Sequence, residues 1–570
     1  MGATDEGKAP YPSGIVQIFA DHAPPDFVQP WQRDRQYSST STGFVVDSGK
    51  RWLITNAHAV EYAEHSAKVK RRGLTQRHDA RVLAVSAACD LALLTVDDDA
   101  FWGGENAPPS APAWWRRIVA DADPDAAPPP PPPPPEPVVF ADALPRLGEA
   151  VSVVGHPVGG DELCITTGVV SRVGVSHYSY GSRSLLCLQT DAAINAGNSG
   201  GPVFSEERTD RFGRWQCVGV AFQALRDGGD TEGVGYVIPT EIVRHFIEDC
   251  ERNACAGELD GFPSLGIAVQ SLENASLRLA VTGREPDASS DPQYGGVLVR
   301  SVAPGSAAAR GDLRSGDVLV EVQGCPVGFD GTVPLGTDVL AERVPLSHPV
   351  SLCTSETGVN VTVLRGGEPM ELTFDADVAP IWVPRGPGTR DPPYLVLGGF
   401  VFLVLSEAYL VSAYGEDWSS DAPLHLLRHY DVAYPPEEHA RPVGLAAADE
   451  QPPSAVLLAC ALPGCAATSG YEAVLGTDAG GGVVTEVDGV PVRNLEHLAL
   501  CIADAVRAGR GLGLTLSVDG PLGARGYFVH VDASSAASST SSLVDREGMA
   551  CALSPSLARL SPFLAASLDE

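Results

Sequence analysis

Three short segments of the sequence carry residues that together can perform acyl transfer. His58 lies in LITNAHAV after an apolar run, Asp90 precedes the run LALLTV, and Ser199 lies in the Gly-rich stretch NAGNSGGP. A serine that attacks a carbonyl needs a base to take its proton and a carboxylate that holds this base in one tautomer. The order His, Asp, Ser therefore predicts a catalytic triad.

The glycines around Ser199 strengthen this interpretation. Gly197, Gly200 and Gly201 allow the backbone to turn tightly around an accessible serine and to aim successive N–H groups at one point. Such convergent donors are what an oxyanion hole requires. An ordinary Gly-rich turn remains the alternative for this segment taken alone.

The segments that must position these residues are predicted to be β-strands. From Gly14 to about residue 247, short runs rich in Val, Ile and Leu alternate with turn residues, which is typical of an all-β barrel or sandwich. A Pro-rich insertion over residues 103–137, with prolines at every position from 128 to 135, predicts a polyproline II segment between two half-barrels. It is either a ligand for an SH3 or WW partner or a tolerated surface insertion.

Two further β-rich regions follow. The first runs from Phe262 to about residue 374, and the second begins after a Pro-rich joint and ends near residue 532. From residue 533 the chain is rich in Ser and Ala, and we expect a flexible tail there.

Composition excludes several classes of function. The chain of 570 residues has 72 acidic and 39 basic side chains, a net charge of −33 that repels phosphate backbones and anionic lipids. Its 12 cysteines show no zinc-site spacing, so neither a metal nor another cofactor is predicted. The longest apolar run, residues 394–405, is too short to span a bilayer.

The start of the sequence resembles neither a secretory signal nor an organelle transit peptide. We therefore expect the protein in the nucleus, nucleolus or cytosol, with the chloroplast stroma as the alternative.

Longer motifs resemble one protease family. TNAHAV, DLALLTV, TDAAINAGNSGGPVF, VGVAFQ and GVGYVIPT are similar to the HtrA or Deg family of the chymotrypsin-like clan. PWQRDRQYSSTSTGFVV and DDDAFW resemble plant and algal Deg proteases, particularly a nuclear or nucleolar branch with two PDZ domains. The Pro-rich insertion departs from this pattern.

The resemblance implies a mainly β chain, in which a chymotrypsin-like double β-barrel precedes two PDZ-like β-rich domains with short helices. The implied parts are a flexible N-terminus over 1–13, the protease domain over 14–252, PDZ domain 1 over 262–376, a degenerate PDZ-like domain 2 over 380–532 and the flexible tail over 533–570.

It also implies roles for single residues. Ser199 is the nucleophile, His58 the general base and then acid, and Asp90 the orienting carboxylate. The oxyanion hole is assigned to Gly197, Asn198 and Ser199. A small apolar pocket, which favours cleavage after residues such as Val or Ala, is assigned to Ile194, Val220, Ala221 and Phe222.

Asn198 bears on control of the site. Digestive members of the clan carry an aspartate before the serine, which binds a newly cut N-terminus, so the asparagine predicts activity without zymogen cleavage. We expect control through ordering of three loops, residues 191–197, 174–183 and 224–233.

The PDZ resemblance rests on PGSAAARGDLRSGDVLVEVQGCPV, with a carboxylate-binding loop at Ser264, Leu265, Gly266 and Ile267. Asp312 stands where the family commonly has a small residue. The third region matches only through VVTEVDGVPVRNLEHLALCI and shows no clear carboxylate loop before residues 395–399, which predicts internal docking rather than ligand binding.

The leading interpretation is an ATP-independent serine endopeptidase that degrades unfolded or damaged proteins, because no P-loop is present to drive unfolding. The alternatives are a chaperone or PDZ scaffold with little proteolysis, and a regulatory protease for one specific substrate. The resemblance implies a homo-oligomer, a trimer or hexamer, with peptide C-termini or internal segments bound at PDZ domain 1.

Overall fold

A computed structural model of the chain divides into two compact units. Unit 1 contains residues 1–23, 36–262 and 333–352, and unit 2 contains residues 24–35, 263–332 and 353–570. The structure describes residues 10–63, 66–103, 133–157, 160, 162–178, 180, 183–222, 234–255, 259–283, 295–336, 342–388, 390–440, 452–471, 475, 480–518 and 525–569.

The first half of unit 1 is a seven-stranded antiparallel sheet in the order β5-β4-β1-β2-β3-β7-β6. Alternating apolar side chains such as Val16, Ile18, Leu53 and Leu94 point to one face and are fully buried there, as the period of two in a strand requires. The strands are β1 Ile15–His22, β2 Tyr37–Asp47, β3 Trp52–Thr55, β4 Lys68–Arg71, β5 Arg77–Asp79, β6 Arg81–Ser86 and β7 Leu91–Thr95.

The second half of unit 1 is a closed barrel in the order β10-β13-β12-β11-β8-β9. Closure removes both sheet edges, and helix α1 (Thr240–Arg252) follows the last strand with Ile242, Val243 and Phe246 buried. The strands are β8 Ala150–Gly155, β9 Cys164–Tyr178, β10 Arg183–Thr190, β11 Pro202–Thr209, β12 Trp215–Phe222 and β13 Gly235–Pro239. The mainly β architecture predicted for the protease domain, with two groups of strands, is thus confirmed.

The first PDZ-like region forms a sheet in the order β14-β15-β16-β20-β21, with β17 paired to β16. Its elements are β14 Ile267–Gln270, α2 Ala275–Thr282, β15 Val297–Val302, α3 Ala307–Arg310, β16 Val318–Val322, β17 Cys325–Pro326, β20 Val359–Arg365 and β21 Glu368–Phe374. Asp312 adopts a left-handed conformation with φ of 69°, and Arg365 binds both Asp312 and the buried Asp317.

Residues 333–352 group with unit 1, although the predicted PDZ domain 1 ran without interruption over 262–376. They include most of a small hairpin of β18 Thr332–Pro334 and β19 Arg343–Pro345, followed by α4 Ser347–Ser351. In α4, buried His348 lies 3.3 Å from Glu241 of helix α1. Sequence spacing could not reveal this grouping because it depends on contacts between distant segments.

The last region forms a sheet in the order β22-β23-β24-β25-β27-β28, with β26 paired to β25. Residues 24–35 also belong to this unit, where Phe27, Val28 and Trp31 pack against its core. Its strands are β22 Tyr394–Leu397, β23 Phe400–Val404, β24 Val456–Ala461, β25 Gly482–Val487, β26 Val490–Pro491, β27 Gly511–Val518 and β28 Arg525–Asp532. The helices whose bounds are described before residue 533 are α5 Glu407–Tyr414, α6 Trp418–Asp421, α7 Leu424–Tyr430, α8 Glu437–Ala440 and α9 Leu495–Ala508.

The predicted flexible tail over 533–570 is wrong. The tail folds into three more helices, α10 Ala533–Glu547, α11 Pro555–Leu560 and α12 Pro562–Asp569. Asp532 caps α10 by accepting a hydrogen bond from the Ser535 N–H, and Leu557 and Leu564 are fully buried. The Ser/Ala-rich helix α10 is buried along one face, which carries the small residues Ala533, Ala536, Ala537 and Thr540. Composition alone does not reveal such a face.

Several predicted features lie outside the described residues. These are the N-terminus to residue 9, residues 104–132 of the Pro-rich insertion and the whole of the predicted loop 224–233. In the part of the chain that is described, no helix is long and apolar enough to cross a bilayer, and no cluster of potential metal ligands occurs.

Candidate active site

Asp90 holds His58 by two hydrogen bonds. Its Oδ2 lies 2.8 Å from His58 Nδ1, and its Oδ1 accepts the backbone N–H of the same histidine at 3.0 Å. The Asp90 side chain is 2% exposed and that of His58 is 32% exposed. A proton on Nδ1 leaves Nε2 as the nitrogen that can take a serine proton.

The backbone explains why Asp90 reaches the histidine. A short 3-10 turn over Ala87–Cys89 ends in Asp90, whose φ of 52° is left-handed, a conformation that Asp tolerates better than most residues. The Asp90 carbonyl accepts hydrogen bonds from the Ala57 N–H at 3.1 Å and from the Asn56 side chain at 2.9 Å. The two segments that carry the histidine and the carboxylate are therefore tied together directly.

The electrostatics around His58 increase the basicity of its imidazole. Burial by itself lowers the pKa of His58, but the charge and hydrogen bond of Asp90, with a smaller contribution from Glu61, outweigh it and raise the pKa overall. A raised pKa makes the imidazole a stronger base, which suits proton transfer from a serine hydroxyl.

Thr42 holds the turn that contains Ser199. Its Oγ1 donates to the Gly197 carbonyl at 2.7 Å, and its N–H donates to the Ser199 carbonyl at 3.0 Å. Its own carbonyl accepts the Thr55 hydroxyl at 2.7 Å, which connects the turn to the segment just before His58. Sequence reasoning missed Thr42, because a threonine in the repetitive stretch STSTG carries no local signal of this role. Ser199 is 5% exposed, less accessible than expected.

Two of the three predicted oxyanion donors are available. Within the described part of the chain, the N–H groups of Gly197 and Ser199 donate to no other group. The prediction for Asn198 is corrected, because its N–H donates to the Asn195 carbonyl at 3.0 Å and is not free to act as an oxyanion donor. Asn198 itself is 1% exposed, so an aspartate in its place would bring a charge into a buried position.

The predicted substrate pocket is only partly assembled from the predicted residues. Val220, Ala221 and Phe222 are consecutive in β12, so Ala221 faces the opposite side from the other two. The four residues therefore cannot all line one pocket. The Ile194 side chain lies against Gly235, where an added Cβ would come within 2.8 Å of its Cδ1.

The loop before Ser199 is fastened to β9. Asp191 Oδ1 accepts the Val169 N–H at 2.7 Å, and the Thr166 hydroxyl donates to the Ala193 carbonyl at 2.7 Å. Residues 191–197 are thus ordered by contacts with a barrel strand. The second predicted control loop, residues 174–183, is mostly not a loop, because residues 174–178 belong to β9 and residue 183 to β10. Tyr180 lies in a turn between them, and residues 179, 181 and 182 lie outside the described residues.

The predicted carboxylate loop of the first PDZ-like region adjoins a free sheet edge. Strand β14 lies at the end of its sheet, and no described strand pairs with its outer side. Among the described residues, the N–H groups of Leu265 and Gly266 donate to no acceptor, and Gly266 has a left-handed φ of 68°. An edge strand preceded by free N–H groups can accept a peptide as an added strand.

The corresponding edge of the last region is occupied. The turn Gly398–Gly399 joins β22 to β23, so that β22 covers the side of β23. The outer side of β22 in turn bridges Leu395 to Leu553 of the tail, and the Gly398 N–H donates to the Thr540 hydroxyl of α10. A peptide therefore cannot add as a strand beside β23 unless β22 is displaced.

Comparison with known proteins places the chain in a family. Residues 41–211 match the trypsin-like peptidase domain and residues 383–555 match the PDZ domain. Protease Do-like 2, chloroplastic, of Arabidopsis thaliana is 35% identical over 501 residues, which are 87% of this chain and 69% of that protein. Protease Do-like 4, mitochondrial, of the same plant is 31% identical over 487 residues, 85% of this chain and 76% of that protein.

Among solved structures, the HtrA-type protease AlgW with decapeptide aligns with 65% of this chain and 97% of its own, at 19% identity and a TM-score of 0.41. The relatives and the two matched domains carry the assignment. The chain belongs to the HtrA/Deg family of Do-like proteases and is a serine endopeptidase of the trypsin-like kind that carries a PDZ domain.

Proposed function

We propose that the chain cleaves unfolded or damaged proteins after small apolar residues, without ATP, and that Ser199, His58 and Asp90 carry out the reaction. The observation that carries this proposal is the pair of hydrogen bonds that His58 donates to Asp90, together with a serine turn in which the N–H groups of Gly197 and Ser199 donate to no other group among the described residues. This geometry supplies the base, its orientation and the oxyanion donors that acyl transfer requires.

The proposed reaction gives each of these groups a role. Ser199 Oγ attacks the peptide carbonyl while His58 Nε2 takes its proton, and Asp90 stabilises the resulting imidazolium. The carbonyl oxygen, now negative, accepts hydrogen bonds from the N–H groups of Gly197 and Ser199. The imidazolium then protonates the leaving amine, and water hydrolyses the acyl-enzyme by the same steps.

The first PDZ-like region is proposed to select substrates. The free edge of β14 and the N–H groups of Leu265 and Gly266 suit a peptide C-terminus or an extended internal segment. Gly266→Ala tests this, because an added Cβ would lie 2.7 Å from the Ser306 Cβ at a left-handed φ. We expect peptide affinity, measured by fluorescence anisotropy, to fall at least about tenfold. Gly305→Ala, at a φ of 76° with open space, is the matched control and should retain binding.

The decisive test of proteolysis is casein degradation at neutral pH. We expect the wild-type chain to degrade casein without ATP and Ser199→Ala to be inactive, whereas Ser184→Ala, an exposed serine of β10, should behave as the wild type. Degradation by Ser199→Ala would contradict the assigned nucleophile. An intact, folded wild type that only prevents aggregation would favour the chaperone or scaffold, and cleavage of one native partner alone would favour a regulatory protease.

Location and assembly are part of the proposal. The names of the two plant relatives refer to the chloroplast and the mitochondrion, which supports an organelle, here the chloroplast stroma, over the nucleus. A homo-oligomer, trimer or hexamer, is proposed from the family resemblance. Imaging of the tagged full-length protein and light scattering test these two points.

A further inference from the structure

A tyrosine from the β9–β10 hairpin packs on the catalytic histidine. The rings of Tyr180 and His58 lie 5.9 Å apart between centroids, at an interplanar angle of 61°, which is an edge-to-face contact. The ring therefore lies beside the imidazole that the proposed mechanism uses as its base. Triad chemistry by itself assigns no role to this residue.

The Tyr180 hydroxyl is bound to a carboxyl three residues after His58. It donates a hydrogen bond to the side chain of Glu61, which also has a hydrogen bond with the Tyr62 side chain. One oxygen of this carboxyl, Oε1, is buried and has no hydrogen-bond partner within the described residues. A buried carboxyl that is only partly satisfied keeps a strong demand for the donors that reach it.

The backbone of Glu61 is fixed from the other side. Its carbonyl lies 2.6 Å from His22 Nδ1, and the Nε2 of this buried histidine lies 2.7 Å from the Ser39 hydroxyl. Tyr62 follows with a left-handed φ of 54°, and its carbonyl accepts the Ala23 N–H at 3.2 Å. The carboxyl thus projects from an anchored turn rather than from a free loop.

We propose that Glu61 and Tyr180 are positioning residues of His58: the ionised carboxyl binds the tyrosine hydroxyl and holds the ring against the imidazole. This inference rests on the proposed role of His58 as the base. In this arrangement the ring limits rotation of the imidazole away from Asp90, and the nearby negative charge stabilises the imidazolium that forms during the reaction.

The ionisation of Glu61 makes the arrangement dependent on pH. Burial raises the pKa of Glu61 to about 6, although hydrogen bonds with Tyr180 and Tyr62 and the charge of His58 oppose this shift. The titratable groups around this carboxyl are His58, Asp90, Tyr62 and Tyr180, with His22 on its backbone and Tyr37 near enough for its pKa to respond. Above about pH 6 the carboxylate is charged, and below it both the hydroxyl contact and the stabilisation of the imidazolium weaken.

The first test measures the pKa of His58 directly, by NMR of the full-length chain labelled at the histidine rings. We expect Glu61→Gln to lower the His58 pKa by roughly half a unit, because an opposing charge is removed without loss of shape. Tyr180→Phe should lower it less, and the double variant should match Glu61→Gln alone, since the hydroxyl acts through the carboxylate. Glu251→Gln, an exposed glutamate that pairs with Lys50, is the control and should cause no shift.

An unchanged His58 pKa in Glu61→Gln, or additive shifts in the double variant, would overturn the inference. This measurement requires no proteolysis, so it is independent of the casein test. A second measurement separates the ring from the hydroxyl. We expect Tyr180→Ala to lower kcat about tenfold with little change in KM, and Tyr180→Phe to restore most of it. Equal kcat values for Tyr180→Ala and the wild type would contradict the positioning role.

Discussion

The glycine after the nucleophile offers a sharp test of the serine turn. Gly200 has a φ of 82°, and a Cβ added there would lie 2.2 Å from the Thr42 carbonyl oxygen and 2.3 Å from Thr55 Oγ1. Gly213, in the turn between β11 and β12, has a similar φ of 75° with nothing within 4 Å of the added carbon. The substitutions Gly200→Ala and Gly213→Ala therefore share the backbone penalty and differ in steric overlap.

The expected magnitudes follow from these contacts. A left-handed alanine costs about 1–2 kcal/mol at either site. At Gly200 the overlap adds about 1–3 kcal/mol, and displacement of the Thr42 carbonyl sacrifices its hydrogen bond from Thr55, worth about 1 kcal/mol. We expect Gly200→Ala to lower the free energy of unfolding by about 3–6 kcal/mol, against about 1–2 kcal/mol for the control.

Activity should separate the two variants further. Because Thr42 also holds the carbonyls of Gly197 and Ser199, its displacement moves the nucleophile and the oxyanion donors together. A displacement on the order of 1 Å at such a site costs roughly 100-fold in rate. We therefore expect kcat/KM on a peptide substrate to fall at least about 100-fold in Gly200→Ala and less than about threefold in Gly213→Ala. If both variants retain similar activity, the described contacts do not hold the serine turn.

Three other substitutions test separate parts of the chain. Asp90→Asn should lower kcat on the order of 10⁴-fold with little change in KM, because an amide favours the wrong tautomer of His58. Steady-state kinetics measure this loss, and a much smaller loss would show that Asp90 does not orient the base. Leu564→Ala should lower the free energy of unfolding by about 2–5 kcal/mol in urea titrations, since the side chain is fully buried; no change would restore the prediction of a flexible tail. Burial raises the pKa of Glu241 from 4.5 to about 7, so the folded wild type loses stability as the pH rises through this window. We expect Glu241→Gln to increase the free energy of unfolding by roughly 3 kcal/mol at pH 8 but not at pH 4.5. An increase that is independent of pH would contradict the assignment.

The sequence by itself determined the residue types of the site and most of the strands. His58, Asp90 and Ser199 each stand in a short local motif, and the alternation of apolar residues in segments such as β20 and β27 follows from the period of two. The glycines near Ser199 predicted a tight turn, because the conformational freedom of a glycine affects only the local backbone. These features need no knowledge of the rest of the chain.

Only the tertiary structure decided which distant groups meet. Thr42 braces the serine turn across 155 residues of sequence, Tyr180 reaches Glu61 across a hairpin, and Leu553 covers the edge strand that a peptide would need. The Ser/Ala-rich tail folds because the small buried residues of α10 pack in the same hydrophobic core as the strands of the last region. Composition does not show which segments pack together. Hydrogen bonds and packing between remote segments depend on their relative placement, which local periodicity does not contain.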